Sequence, residues 1–100
     1  MISIKRKRRL TFKKSHIQYG KTDTGEVLYT YISDGELITA LKDSADAAHV
    51  SLMEVIQSEW QENVVIVTVC CKQPAFINFV GEVSKRLGKY IRGVEFRYGL

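Results

Sequence analysis

The spacing of apolar residues changes period along the chain, and each change marks the boundary of an element. Ile2, Ile4, Leu10 and Phe12 occupy even positions with basic residues between them, the two-residue period of a half-buried strand. Ile17 and Tyr19 occupy odd positions, so the phase switches near residues 13–15 and a turn or bulge separates two strands there. A hairpin follows. Residues 16–20 and 26–33 flank Lys21-Thr22-Asp23-Thr24-Gly25, in which Asp23 suits a type I turn and Gly25 the left-handed position of a bulged loop. Two or three antiparallel strands are expected in this first third.

Helical signals begin at Ser33, which forms a capping box with Glu36 while Ile32 staples onto Leu37. Ser51 and Glu54 repeat the box, and Val50 and Val55 repeat the staple. These starts predict helices over about 34–48 and 52–61 joined near His49, an αα-hairpin. Leu37, Ile38, Leu41, Ala45 and Ala48 form one buried stripe, and Leu52, Val55, Ile56 and Trp60 the next. Val64 to Cys71 is apolar on both parities and rich in β-branched residues, as a central strand covered on both faces would be.

Beyond it, Pro74 is tolerated in a first helical turn. Phe76, Ile77, Phe79, Val80, Val83, Leu87, Tyr90 and Ile91 recur every three or four positions through a helix over roughly 74–91. Gly93 then allows a sharp exit into a strand over 94–98. Strand, helix and strand in succession imply a βαβ unit with a right-handed crossover. The expected fold is α+β, in the order β-β(-β)-α-α-β-α-β. Its single mixed sheet combines amino-terminal antiparallel strands with the carboxyl-terminal βαβ unit and carries about three helices on one face.

Composition bounds this picture. The 100 residues, 45% of them hydrophobic, form one domain over 1–100 and exclude a disordered chain, because enough apolar surface exists to offset the entropy of ordering. The formal net charge of +4 conceals a segregation. Residues 1–22 carry +8, residues 23–62 carry −8 and residues 63–100 carry +4. Cys70 and Cys71 are adjacent and are the two cysteines of the chain, a poor geometry for a mutual disulfide, and with His16 and His49 their spacings do not assemble a four-ligand zinc site. A reducing cytoplasm is expected. The run 64–71 is too short to span a bilayer, and no apolar stretch of signal-peptide length follows the basic residues, so neither a membrane nor secretion is indicated.

Candidate chemistry concentrates in the basic set Lys5, Arg6, Lys7, Arg8, Arg9, Lys13 and Lys14, whose density exceeds what protection of an edge strand requires. Such a cluster tracks phosphate backbones through charge neutralisation and counterion release. Lys85, Arg86, Lys89 and Arg92 form a second patch at the end of the last helix, where the helix dipole also favours cations. Tyr29 and Tyr31, with Tyr19, are candidates for an open sheet face on which bases stack, although strand tyrosines also serve core and dimer packing. A helix-turn-helix over 45–55 is disfavoured because its reading helix would lie in the acidic segment.

Catalytic inventory is thin. His16 and His49 have no neighbouring nucleophile by motif, glycine-rich phosphate loops are absent, and Asp43 and Asp46 read as a solvated pair. No enzyme activity, cofactor or metal is expected. The sequence therefore points to a small nucleic-acid-binding module acting on DNA or RNA backbone through its amino-terminal basic strand region. The alternative is a protein-interaction module, an inhibitor or assembly subunit, that docks by charge complementarity or forms a homodimer.

Overall fold

The computed structural model describes residues 4–97 and contains six strands and two helices. Ile2 and Tyr98, assigned above to strands, lie outside the described residues. Four strands, β1 (Arg6–Lys14), β4 (Ser51–Gln57), β5 (Val64–Cys71) and β6 (Ile91–Arg97), pair in the order β4-β5-β1-β6. Every neighbouring pair is antiparallel. Strands β2 (Ile17–Lys21) and β3 (Val27–Thr30) form a separate hairpin between β1 and helix α1 (Asp34–Ala48). Helix α2 (Gln73–Leu87) joins β5 to β6.

The sheet is thus antiparallel rather than mixed, and the helices are two rather than three. The expected βαβ unit is present in split form. Strands β5 and β6 run parallel to each other with β1 inserted between them, and β1 and β4 do the same around β5. With the hairpin set aside, this is the split β-α-β, or ferredoxin-like, connectivity.

One face of the sheet meets both helices. Leu10 and Phe12 of β1 point to it beside Val67 and Val65, their cross-strand partners on β5, and all four are almost fully buried. Leu37, Leu41 and Ala45 of α1 and Phe76, Phe79, Val83 and Leu87 of α2 close over them. Burying each large apolar side chain contributes about 1.5–3 kcal/mol. The other face carries no helix, which corrects the expectation that β5 is covered on both sides. Its outward residues Ile66 and Cys70 are only half-buried.

Helix α1 forms over the predicted residues. Ser33 Oγ accepts a hydrogen bond from the Glu36 amide at 3.2 Å. At the other end His49 adopts a left-handed conformation, φ 57°, and the amides of His49 and Val50 donate to the carbonyls of Asp46 and Ala45. This is a Schellman motif in which histidine stands where glycine is usual.

The predicted helix over 52–61 is instead strand β4 and a turn. Met53 is an extra residue in β4, since Leu52 pairs with Val69 and Glu54 with Thr68. The bulge shifts the side-chain phase, so Leu52 and Val55, three apart, both face the helices and reproduce a helical spacing on a strand. Trp60, expected in a buried stripe, lies in the β4–β5 turn with 92% of its surface exposed. Likewise, α2 stops at Leu87, and Ile91 opens β6 instead of ending the helix.

A second bulge sets the face of β6. Thr11 pairs with Glu95 and Lys13 with Arg92, leaving Gly93 and Val94 opposite Phe12 alone, with Gly93 at φ 60°. Regular pairing would turn Ile91 outward and Arg92 toward the core. The bulge reverses this, burying Ile91 beside Lys14 and placing Arg92 beside Lys13 on the open face.

The hairpin loop is close to its expected form, with Gly25 at φ 89° and its amide donating to Thr22 O. The hairpin has little contact with the rest of the fold, and the molecule is elongated, 61 × 28 × 20 Å. Among the described residues, no helix is long and apolar enough to cross a membrane.

Two substitutions test these backbone assignments by urea denaturation. Gly93→Ala is expected to cost about 1–2 kcal/mol, the penalty of a Cβ in the left-handed region. His49→Gly is expected to raise stability by about 0.5–1 kcal/mol, because the same penalty is removed from the helix cap.

Candidate nucleic-acid interface

A strand paired on both sides has two faces, and the basic residues of β1 divide between them. Leu10 and Phe12 fix the even positions as inward, so Arg8 and Lys14 point inward too, and both are buried. Arg8 Nε donates to the Cys71 carbonyl at 2.9 Å and its Nη2 to the Ile4 carbonyl at 3.3 Å, tying the start of β1 to the end of β5. Lys14 Nζ lies 3.5 Å from Asp34 Oδ1, in the first turn of α1, and 6.0 Å from the centre of the Tyr31 ring. Both cations are committed to the fold rather than to an exposed surface.

Lys7, Arg9 and Lys13 occupy the outward positions and are exposed. The cross-strand register places Arg97 directly beside Arg9, and Arg92 beside Lys13, on the same open face. None of these five cations has an ion-pair partner among the described residues. Like charges directly opposite on a sheet are destabilising, by roughly 0.2–1 kcal/mol per pair. Two acidic residues share the face. Glu95 is level with Thr11, and Glu54 lies on β4 in the row of Thr68, Arg9 and Arg97.

The remaining candidates are placed elsewhere. Lys5 is exposed just ahead of β1, and Arg6 has inward parity but is exposed at the strand's start. Lys85 and Arg86 end α2, across the sheet from the basic stripe, and Arg86 pairs with Glu82. Lys89 packs over the Tyr90 ring at 6.0 Å in the turn that follows. From the second patch, Arg92 alone joins β1's cations.

Tyr29 and Tyr31 belong to the hairpin segment and not to the open face of the main sheet. The Tyr31 hydroxyl and His16 Nε2 share a 2.6 Å hydrogen bond, and the Tyr29 ring lies 5.5 Å from that of His16. Tyr19 is the extra residue of a bulge in β2, since Gln18 pairs with Tyr29 and Gly20 with Leu28.

The open face also contains residues that sequence reasoning missed. Arg97 carries no local mark of its role, since nothing in the sequence makes its strand a neighbour of β1. Trp60, in the turn over 58–63, lines a shallow depression together with Ile56, Glu59 and Ile66. That turn is held by Ser58, whose Oγ accepts from the amides of Trp60 and Gln61, each at 3.2 Å. The acidic residues of α1, Asp34, Glu36, Asp43 and Asp46, lie on the helix side of the sheet, so α1 does not cover the stripe.

Cys70 and Cys71 are both free thiols. Cys70 faces outward in a row with Ser51 and Lys7, whereas Cys71 is inward and buried. Burial pushes the Cys71 thiol up from its ordinary value, and the Arg8 guanidinium opposes this without cancelling it. Comparison of the chain with protein-family models, with curated proteins and with solved structures found no match.

These environments predict different thiol reactivities. In the native protein a maleimide reagent should modify Cys70 well before Cys71, and Cys71 should react at the Cys70 rate only under denaturing conditions, read by mass spectrometry of the labelled peptides. The native state holds the Cys71 proton more tightly than the unfolded chain does. This contribution to stability is therefore present below the ordinary thiol range and is lost as pH rises through the raised value.

Proposed function

We propose that the protein is a small, non-catalytic nucleic-acid-binding module, and that the open face of its sheet carries the phosphate contacts. The observation supporting this reading is the paired column Arg9–Arg97 and Lys13–Arg92, extended by Lys7 along β1. A fold gains nothing from two like-charge pairs that flank the Thr11–Glu95 row, where a single carboxylate lies amid four cations. An anionic ligand removes that repulsion and releases its own counterions. The split β-α-β topology hosts many unrelated functions, so the proposal rests on these side chains and not on the fold. Two unpaired thiols fit a reducing, cytoplasmic setting.

Homodimerisation by strand addition is the weaker alternative. Both edge strands are interrupted, β4 by the Met53 bulge and β6 by the Gly93 bulge. Bulges and edge charges oppose the continuous ladder such pairing requires.

Binding of a labelled oligonucleotide, followed by fluorescence anisotropy across a salt series, tests the proposal. Five phosphate contacts predict a slope of log K against log salt of about −3.5 for a single strand and about −4.5 for B-form DNA. Each removed cation should flatten the slope by about 0.7–0.9. Arg97→Glu gives a sharper test, because it converts a repulsive cross-strand pair into an attractive one. It is expected to raise the urea midpoint slightly while weakening binding at least tenfold. A slope near zero, or binding that Arg97→Glu and Lys13→Glu leave unchanged, would exclude this face.

A further inference from the structure

The open face is asymmetric across its strands, and the asymmetry selects among nucleic acids. The rows of cross-strand neighbours differ along the sheet: Arg97 and Arg9 lead to Thr68 and Glu54, and hydrocarbon gathers at the end nearest the β4–β5 turn. Arg92 and Lys13 lead to Val64, and Glu95 and Thr11 lead to Ile66 and Ile56. The β6 and β1 side therefore carries Lys7, Arg9, Lys13, Arg92 and Arg97. The β5 and β4 side carries the half-buried Val64 and Ile66, the exposed Ile56 and the 92%-exposed Trp60 toward the turn, with Thr68 and Glu54 farther from it. Trp60 leaves the sheet at the end where Lys13 and Arg92 lie, because the β4–β5 turn connects to Val64, the partner of Lys13.

A duplex does not match this division. Its phosphates face outward along both strands while its base faces are stacked on one another and closed to an indole. A single strand matches it, since one edge is a line of phosphates and the other a series of unstacked aromatic faces. Building on the nucleic-acid reading above, we infer that the ligand is a single-stranded nucleic acid. Its backbone lies along β1 and β6, and a base stacks on Trp60 over the apolar surface of Ile56 and Ile66. The Ser58 hydrogen bonds to the amides of Trp60 and Gln61 fix the backbone of the turn that carries the indole, so the turn itself needs little ordering on binding.

Trp60 is the chain's single tryptophan, so its fluorescence reports this contact directly. The wild-type protein and Trp60→Ala are titrated with a mixed-sequence RNA or DNA single strand of about 12 nucleotides, and with the duplex of the same sequence, at fixed salt. Single strands are expected to quench Trp60 emission. Trp60→Ala is expected to weaken their binding by about five- to a hundredfold, the range found for loss of a base-stacking aromatic, and to leave duplex binding unchanged. Trp60→Phe should restore most of the loss. Because the side chain is exposed, unfolding is not expected in either variant, and a urea midpoint equal to wild type checks this.

Salt-dependent binding without quenching, with Trp60→Ala equal to wild type, would overturn the single-strand inference and leave the phosphate reading standing. Absence of salt-dependent binding to any of these probes would overturn both. A difference between the RNA and DNA arms identifies the sugar, since a preference for RNA at equal sequence reports recognition of the 2′-hydroxyl.

Discussion

Strand β1 runs between β5 and β6 with hydrogen-bonding partners on both sides, and the two-residue period of its side chains governs the rest of the molecule. Leu10 and Phe12 must lie inward to meet α1 and α2, so every even residue follows them and every odd residue is turned out. Arg8 and Lys14 are thereby drawn into the fold, where a carbonyl of β5 and a carboxylate of α1 satisfy them. Lys7, Arg9 and Lys13 are forced to the opposite side. A slip of one residue would bury three unpaired cations and expose a phenylalanine, so the register that builds the core also builds the basic stripe.

Bulges decide where that register is broken. One at Met53 keeps Leu52 and Val55 on the helix side, and one at Gly93 turns Ile91 in and Arg92 out. The second completes the stripe, since Arg92 joins Lys13 only because Gly93 resets the phase. The same two bulges interrupt the edges of the sheet, where an unbroken strand would invite pairing with another chain. Core packing, edge protection and the placement of charge are in this way linked through two extra residues.

The segregation of charge along the chain becomes a separation in space for α1, whereas Glu54 of the same acidic segment shares the open face. The acidic residues of α1 and the stripe of β1 and β6 lie on opposite sides of one sheet, with Lys14 and Asp34 as the contact between the two blocks. A polyanion approaching such a molecule meets the cation stripe on the open face and a mixture of α1 acids and α2 bases on the other, so the charge that supplies affinity also orients the encounter. The hairpin leaves the body from the end of β1 near the β4–β5 turn, and its tyrosines are engaged with His16 rather than with the stripe.

Local signals alone determined several parts of this structure. The capping box at Ser33 fixed the start of α1, the apolar run 64–71 identified a central strand, and Gly25 marked the hairpin loop, because each depends on neighbours within a few residues. The parity of Leu10 and Phe12 already contained the burial of Arg8 and Lys14, although charge density drew attention to the cluster as a whole. The strand over 51–57 was not legible, because a bulge gives a strand the three-residue spacing of a helix and Ser51 with Glu54 imitates a cap. The pairing of Arg9 with Arg97 and of Lys13 with Arg92 joins residues about 80 or more positions apart in the chain. No local pattern encodes that pairing. It follows from the order of strands in the sheet, which is set when two helices must cover one apolar face, and the tertiary fold alone turned scattered cations into a stripe.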